Sequence, residues 1–250
     1  MSALEIRDCP SPNHDARPAG VPIDILLLHY TGMPTAEAAL ARLLDVTAKV
    51  SAHYLIDEDG AVSRLVPEAR RAWHAGVASW AGARDINGRS IGIELVNPGH
   101  AFGYRAFPAP QMAALAGLAQ AILARHPIPT HRVLGHADVA PERKQDPGEL
   151  FDWQGLAAAG IGLWPDAAPH RDGCGHDVGP AAEPALVARL QADLARFGYG
   201  VRVSGDWDHA TACAVAAFQR HWRAAAITGI ADAETRAILA GLLDQIAKGA

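Results

Sequence analysis

Apolar positions fall into two kinds of pattern along this chain, and the balance between them changes near residue 165. In the first part, short continuous runs mix with helical stripes. Ile23, Ile25, Leu26, Leu27 and Leu28 form a nearly unbroken run, which predicts a buried strand over residues 23–30. Pro34-Thr35 then opens a helix with Leu40, Leu43, Leu44 and Thr47 on one stripe. Residues 53–57 and 61–66 form two runs joined by Glu58-Asp59-Gly60, the pattern of a hairpin. Ile91, Ile93 and Leu95 alternate with Gly92, Glu94 and Val96, which predicts another strand. A helix starts at Pro110 and places Leu115, Leu118, Ala119, Ile122 and Leu123 on one side. Residues 131–134 make a last short strand. Strands interleaved with helices predict an α/β (α+β) domain over residues 1–165, with a mixed central sheet flanked by helices.

Residues 166–183 have no hydrophobic periodicity, and prolines stand at 165, 169, 180 and 184. This stretch is expected to be a linker. Residues 184–250 are expected to form a small all-α domain of three helices. The stripes are Leu186, Leu190, Leu194; then Thr211, Val215, Phe218, Trp222; then Ile238, Leu239, Leu242, Leu243, Ile246. An internal repeat joins the helices: Ser204-Gly205-Asp206-Trp207-Asp208-His209-Ala210-Thr211 matches Thr228-Gly229-Ile230-Ala231-Asp232-Ala233-Glu234-Thr235. Asp208 and Asp232 are placed to cap the helices that follow. Three amphipathic stripes can bury one another, so this segment is expected to fold by itself.

Composition narrows the function classes. The chain has 250 residues, half of them hydrophobic and a fifth charged, as in ordinary globular proteins. Its formal net charge is -5, so no overall basic field draws in nucleic acid. Cys9, Cys174 and Cys213 are too few and too far apart for a disulfide framework. No run approaches the roughly 20 apolar residues of a membrane span. Residues 1–20 lack the apolar core of a signal peptide, which favours a cytoplasmic location, with the cell envelope as the alternative.

The chemistry-bearing residues concentrate at a few places. His29 ends the first apolar run. The loop 135–148 holds His136, Asp138, Lys144 and Asp146. Two histidines and one carboxylate suffice for a catalytic zinc, whose fourth position stays open to water. Spacing leaves both aspartates open as the third ligand. Asp138 requires a tight turn after His136, and Asp146 is held extended by Pro147. A lysine in the same loop can face the same pocket, which points to hydrolysis of an amide or ester. Glu94 alternates with apolar neighbours, and is either a general base or part of a solvated edge-strand face. Trp73, His74 and Trp80 are core residues or sugar-stacking residues. Asn97 either bonds substrate or closes a turn.

Five segments in order carry a resemblance: His29-Tyr30-Thr31, Ser51-Ala52-His53-Tyr54-Leu55-Ile56, Ala72-Trp73-His74-Ala75-Gly76, Ser90-Ile91-Gly92-Ile93-Glu94-Leu95-Val96-Asn97, and Gly135-His136 through Lys144-Gln145-Asp146-Pro147-Gly148. Over roughly residues 20–165 the chain resembles the zinc-dependent N-acetylmuramoyl-L-alanine amidases of the type 2 amidase family, nearest the AmpD/AmiD group. The resemblance implies that Zn2+ is held by His29, His136 and Asp146. It implies Glu94 as general base and Lys144 as the cation that stabilises the oxyanion. Some relatives carry a tyrosine where this chain has Ala52, which leaves the base function to Glu94. Trp73, His74 and Asn97 are the candidate substrate contacts. The helical segment resembles the peptidoglycan-binding domain that often follows such amidases. The implied partner is peptidoglycan or a soluble muropeptide, cut between N-acetylmuramic acid (or its 1,6-anhydro form) and L-alanine. A non-catalytic wall-binding protein is the alternative. It is disfavoured because such a protein would be expected to lose a ligand or the base.

Overall fold

A computed structural model describes residues 5–166 and 177–249. Most of the expected linker, together with Cys174, lies outside the described residues. The strands are β1 (Ile6–Asp8), β2 (His14–Ala16), β3 (Ile25–Tyr30), β4 (Tyr54–Ile56), β5 (Val62–Arg64), β6 (Arg70–Ala72), β7 (Ser90–Leu95) and β8 (Val133–Gly135). Six of them form one mixed sheet in the order β1-β5-β4-β7-β3-β8. The expected hairpin is the antiparallel pair β4–β5, and the other neighbours in this sheet run parallel. β2 and β6 make a separate antiparallel pair.

The sheet is covered on both faces, and this explains the unbroken apolar run of β3. Leu26 and Leu28 lie opposite Ile91 and Ile93 of β7. That face packs under helix α4 (Ala109–Arg125) through Leu115, Leu118 and Ile122. The other face carries Ile25, Leu27 and His29, with Gly92 opposite Leu27 and Glu94 opposite His29. β7 lies inside the sheet, between β4 and β3, so Glu94 is buried and the solvated-edge alternative does not arise.

Helix α1 (Ala36–Leu44) is capped by Thr35, whose side chain accepts from the Ala38 amide. It ends at Asp45, before the expected stripe reaches Thr47, because Thr47 donates its amide and hydroxyl to the Asp45 carboxylate. Four short helices complete the first part: α2 (Ile86–Arg89), α3 (Gly99–Phe102), α5 (His136–Val139) and α6 (Trp153–Ala158).

The three expected C-terminal helices are α7 (Pro184–Phe197), α8 (His209–Trp222) and α9 (Ala233–Ala247). Leu186 of the first stripe is exposed, and Val187 takes its place in the core. Asp208 and Asp232 cap α8 and α9 by accepting from the amides of Thr211 and Thr235. The repeat has a shared lock. Gln191 accepts from the amides of Ser204 and Gly205 and donates to Thr211 Oγ1, all at 2.9 Å. Gln219 accepts from the amides of Thr228 and Gly229, and donates to Thr235 Oγ1 at 3.1 Å.

These helices do not bury only one another, as their stripes had led us to expect of a segment that folds alone. One buried cluster runs from Ile25 and Leu27 through Trp80 and Ala137 to Phe197, Phe218 and Trp222. The Trp80 ring packs 5.0 Å from that of Tyr199. Gly198, at φ +142°, has no room for a Cβ, which would come within 2.3 Å of Trp80. Trp80 is therefore a core residue at this seam and not part of a sugar-stacking surface. Among the described residues no helix is long and apolar enough to cross a membrane.

Candidate metal centre and active site

Three elements bring the candidate ligands together. His29 is the fifth residue of β3, His136 opens α5 directly after β8, and Asp146 lies in the loop beyond α5. The ligand atoms of His29, His136 and Asp146 lie within 4.8 Å of one another, and all three residues are buried. The Nδ1 atoms of the two histidines are 2.9 Å apart, and each is 3.1 Å from Asp146 Oδ2.

The surrounding hydrogen bonds fix the tautomers. Ser90 Oγ donates to the Ile86 carbonyl at 2.6 Å, which leaves its lone pair for His74 Nε2–H at 3.3 Å. His74 Nδ1 is therefore an acceptor, and the His29 Nε2–H, 3.0 Å away, donates to it. The proton of His29 sits on Nε2, and its Nδ1 carries a bare lone pair. His136 Nε2 lies 3.0 Å from the carbonyl of Ala75, so it too carries the ring proton. Two imidazole lone pairs and a carboxylate oxygen thus converge with no proton between them, an arrangement that only a cation stabilises. Their spacing is close to the roughly 3.3 Å expected of atoms about 2 Å from one tetrahedral ion. Burial, then the neighbouring His136, pushes the His29 pKa down to about 4, so its ring is neutral and able to ligate near neutral pH. These three residues can hold a metal ion.

Glu94 stands beside them. Its Oε2 is buried and has no hydrogen-bond partner. Burial, followed by the Asp146 anion, raises its pKa well above the usual carboxylate value, and Lys144 acts against the rise. A small cavity of about 50 Å³ reaches Glu94 between Thr31, Met33, Leu43 and Val50. Lys144 is half-buried in the loop between His136 and Asp146, and its charge acts on both His29 and Glu94. A larger cavity of about 560 Å³ adjoins the same loop. It is lined by residues 76–79, 139–143, Gly200 and Val201, so both parts of the chain form its walls.

The expected substrate contacts are placed differently. His74 lies behind His29, buried under the sheet, and does not reach an opening. It fits there because Gly92 has no side chain; a Cβ at Gly92 would come within 2.5 Å of the His74 ring. Asn97 is fully buried and closes a turn. Its Nδ2 donates to the Arg105 carbonyl at 2.7 Å, and its Oδ1 accepts from the Gly99 amide at 3.0 Å. No group of Asn97 is left for substrate. Trp73 is half-buried, and its backbone amide donates to Ser51 Oγ.

Asp138 is not a ligand in this arrangement. It accepts from the Gly135 amide at 2.8 Å and closes the turn that starts α5. Sequence reasoning missed two supporting residues. Ser90 fixes the tautomer of His74. Arg143 donates to the Ala75 and Val77 carbonyls and so fastens the ligand loop to residues 75–77. Neither leaves a signal in spacing, since only the fold brings Ser90 to the His74 ring and Arg143 to the carbonyls of Ala75 and Val77.

An acceptor set for one cation, with the buried, partnerless Glu94 Oε2 at its side, can hold a metal ion and take a proton from a water beside it, as a metal-dependent hydrolase requires. The chain belongs to the N-acetylmuramoyl-L-alanine amidase family, whose model matches residues 19–149. A peptidoglycan-binding domain family matches residues 183–239. The chain is similar to N-acetylmuramoyl-L-alanine amidase AmiD of Escherichia coli, with 39% identity over 89% of this chain and 83% of the relative. The structure of that enzyme with anhydro-N-acetylmuramic acid-L-Ala-D-γ-Glu-L-Lys superposes with a TM-score of 0.78, at 40% identity and 91% coverage of both chains. AmpDh3 of Pseudomonas aeruginosa, in complex with anhydromuramic pentapeptide, gives a TM-score of 0.79 at 32% identity, covering 98% of this chain and 99% of that one. The 1,6-anhydro-N-acetylmuramyl-L-alanine amidase AmpD of Citrobacter freundii is 37% identical over 60% of this chain and 87% of the relative.

Proposed function

We propose that this chain is a zinc hydrolase that cleaves the amide between N-acetylmuramic acid, or its 1,6-anhydro form, and the L-alanine of the stem peptide. The observation that carries this reading is the convergence of His29 Nδ1, His136 Nδ1 and Asp146 Oδ2, with Glu94 Oε2 unpartnered beside them. Two imidazoles and one carboxylate are a donor set that suits zinc. Zinc, when bound, supplies Lewis acidity toward the scissile carbonyl and the attacking water.

The chain's own residues do the rest. Glu94 takes the proton of the attacking water at Oε2 and hands it to the departing amine of L-alanine. A carboxylate whose burial raises its pKa suits a group that must both accept and return a proton. The Lys144 ammonium faces the oxygen on which charge develops as the carbonyl becomes tetrahedral. His74 keeps the proton of His29 away from the metal side. The half-buried Trp73 offers an indole face to the sugar. The 560 Å³ groove, with walls from both parts of the chain, takes the rest of the muropeptide.

The test is product analysis by mass after digestion of intact sacculi and of soluble anhydromuropeptide, beside metal analysis. Parent protein should carry about one zinc per chain and release free stem peptide. Glu94→Gln should keep zinc and lose about 10²–10⁴-fold in turnover. Lys144→Ala should keep zinc and lose roughly 10²–10³-fold. A zinc-loaded parent that binds sacculi and releases nothing would point to the non-catalytic alternative.

A further inference from the structure

We propose that Tyr199 and His221 of the helical segment are positioning residues for the metal centre, acting through Asp138 on the turn that presents His136. The proposal rests on the zinc reading above. Asp138 is 1% exposed, and a buried carboxylate is stable only when its oxygens are fully bonded. Its donors come from both parts of the chain. The Gly135 amide donates to Oδ2 at 2.8 Å from within the ligand turn itself. The Tyr199 hydroxyl donates to Oδ1 at 2.7 Å, and His221 Nδ1 donates to Oδ2 at 2.7 Å. Two of the three donors thus come from residues 61 and 83 positions further along the chain.

The clamp grips the segment that must be placed most accurately. Gly135 and Asp138 bracket His136, and the Ala137 amide donates to the Asp146 carbonyl at 2.9 Å. Two of the three ligands are therefore tied to the four residues that Asp138 closes. The clamp is itself rigid. The His221 ring is stacked 3.6 Å from Trp153 of the amidase part and 3.5 Å from Trp222 of its own helix. Removing either donor leaves a buried carboxylate under-bonded, and it regains partners only by moving the turn. The helical segment in this chain is thereby part of what orients the ligands, in addition to any contact it makes with glycan.

The experiment uses the full-length zinc-loaded chain and four variants. Tyr199→Phe removes one oxygen and His221→Leu removes one donor. His221→Asn restores a donor nitrogen where Nδ1 stands. Leu242→Ala weakens the core of the same helices without touching Asp138. The readouts are the rate of zinc transfer to a chelator, the visible absorption of the cobalt-substituted protein, and kcat and KM on soluble anhydromuropeptide. Tyr199→Phe and His221→Leu should each release zinc about tenfold faster, at the low end for loss of outer-shell support. They should also shift the cobalt bands and lower kcat with little change in KM. His221→Asn should return most of the loss, and Leu242→Ala should lower Tm alone. Parent-like zinc release and cobalt spectra in Tyr199→Phe and His221→Leu, or equal zinc loss in Leu242→Ala, would overturn the proposal. A parent chain that binds no zinc would instead overturn the zinc reading.

Discussion

Replacing His74 by phenylalanine tests the tautomer argument on which the metal site rests. The ring volume is kept, but the acceptor for His29 Nε2–H at 3.0 Å disappears. In the free protein, His29 then gains by moving its proton to Nδ1, where the Asp146 carboxylate lies 3.1 Å away. Zinc must displace that proton before it can bind. Leaving the Nε2–H buried without a partner instead costs about 1–3 kcal/mol. Loss of a hydrogen-bond partner behind a ligating histidine costs about 10–100-fold in metal affinity. That range corresponds to about 1.4–2.7 kcal/mol, so the two routes agree. The assay is competition with a chelator of known zinc affinity, repeated at several pH values. The affinity of His74→Phe should fall by about 10–100-fold at every pH tested, because the neutral ring only shifts its one proton from Nδ1 to Nε2 when zinc binds and releases none. His74→Asn, whose amide oxygen can accept where Nδ1 did, should recover part of the loss. Zinc affinity in His74→Phe within about twofold of the parent, far inside the expected range, would refute the tautomer assignment.

Other consequences are open to measurement. Gly92→Ala puts a methyl group within 2.5 Å of the His74 ring, so it should cost about 1–3 kcal/mol of stability and weaken zinc binding as well. A chain ending at residue 166 uncovers Trp80 and Trp153 and removes two donors from Asp138. It should lose activity on soluble muropeptide and not only its hold on sacculi; full activity on the soluble substrate would show that the shared core is dispensable. Burial raises the pKa of Glu68, but hydrogen bonds from Arg125, Tyr54 and His126 outweigh it and lower the pKa from 4.5 to about 2. A carboxylate with a lowered folded pKa stabilises above its unfolded pKa and loses that contribution as pH falls through the folded one. The parent should therefore be more stable than Glu68→Gln by roughly 1–2 kcal/mol at neutral pH, after discounting for the half-exposed Arg125. That gap should close between pH 4.5 and about 2 in denaturant titrations.

The sequence by itself determined the elements whose signal is local. The run at 23–30 became a central strand because four consecutive apolar residues, Ile25 to Leu28, suit a sheet covered on both faces. The Glu58-Asp59-Gly60 turn became a hairpin because Gly60 takes φ +89° without strain. Asp208 and Asp232 capped their helices because a cap needs only an oxygen three residues from an amide. The five ordered motifs were likewise legible, since the residue types of a metal site change little with their surroundings. Tertiary structure alone decided what each polar residue faces. Glu94 is buried because β7 lies inside the sheet and Thr31, Met33, Leu43 and Val50 close over the face it points from. His74 and Asn97, expected at the substrate, are spent on His29 and on a turn. Asp138, open as a ligand on spacing alone, is taken by donors from residues 199 and 221. Whether the helical stripes closed on themselves or onto the sheet was also undecided in the sequence. An amphipathic stripe specifies that a face is buried but not against what, and partners so far apart along the chain meet only once the whole core has formed.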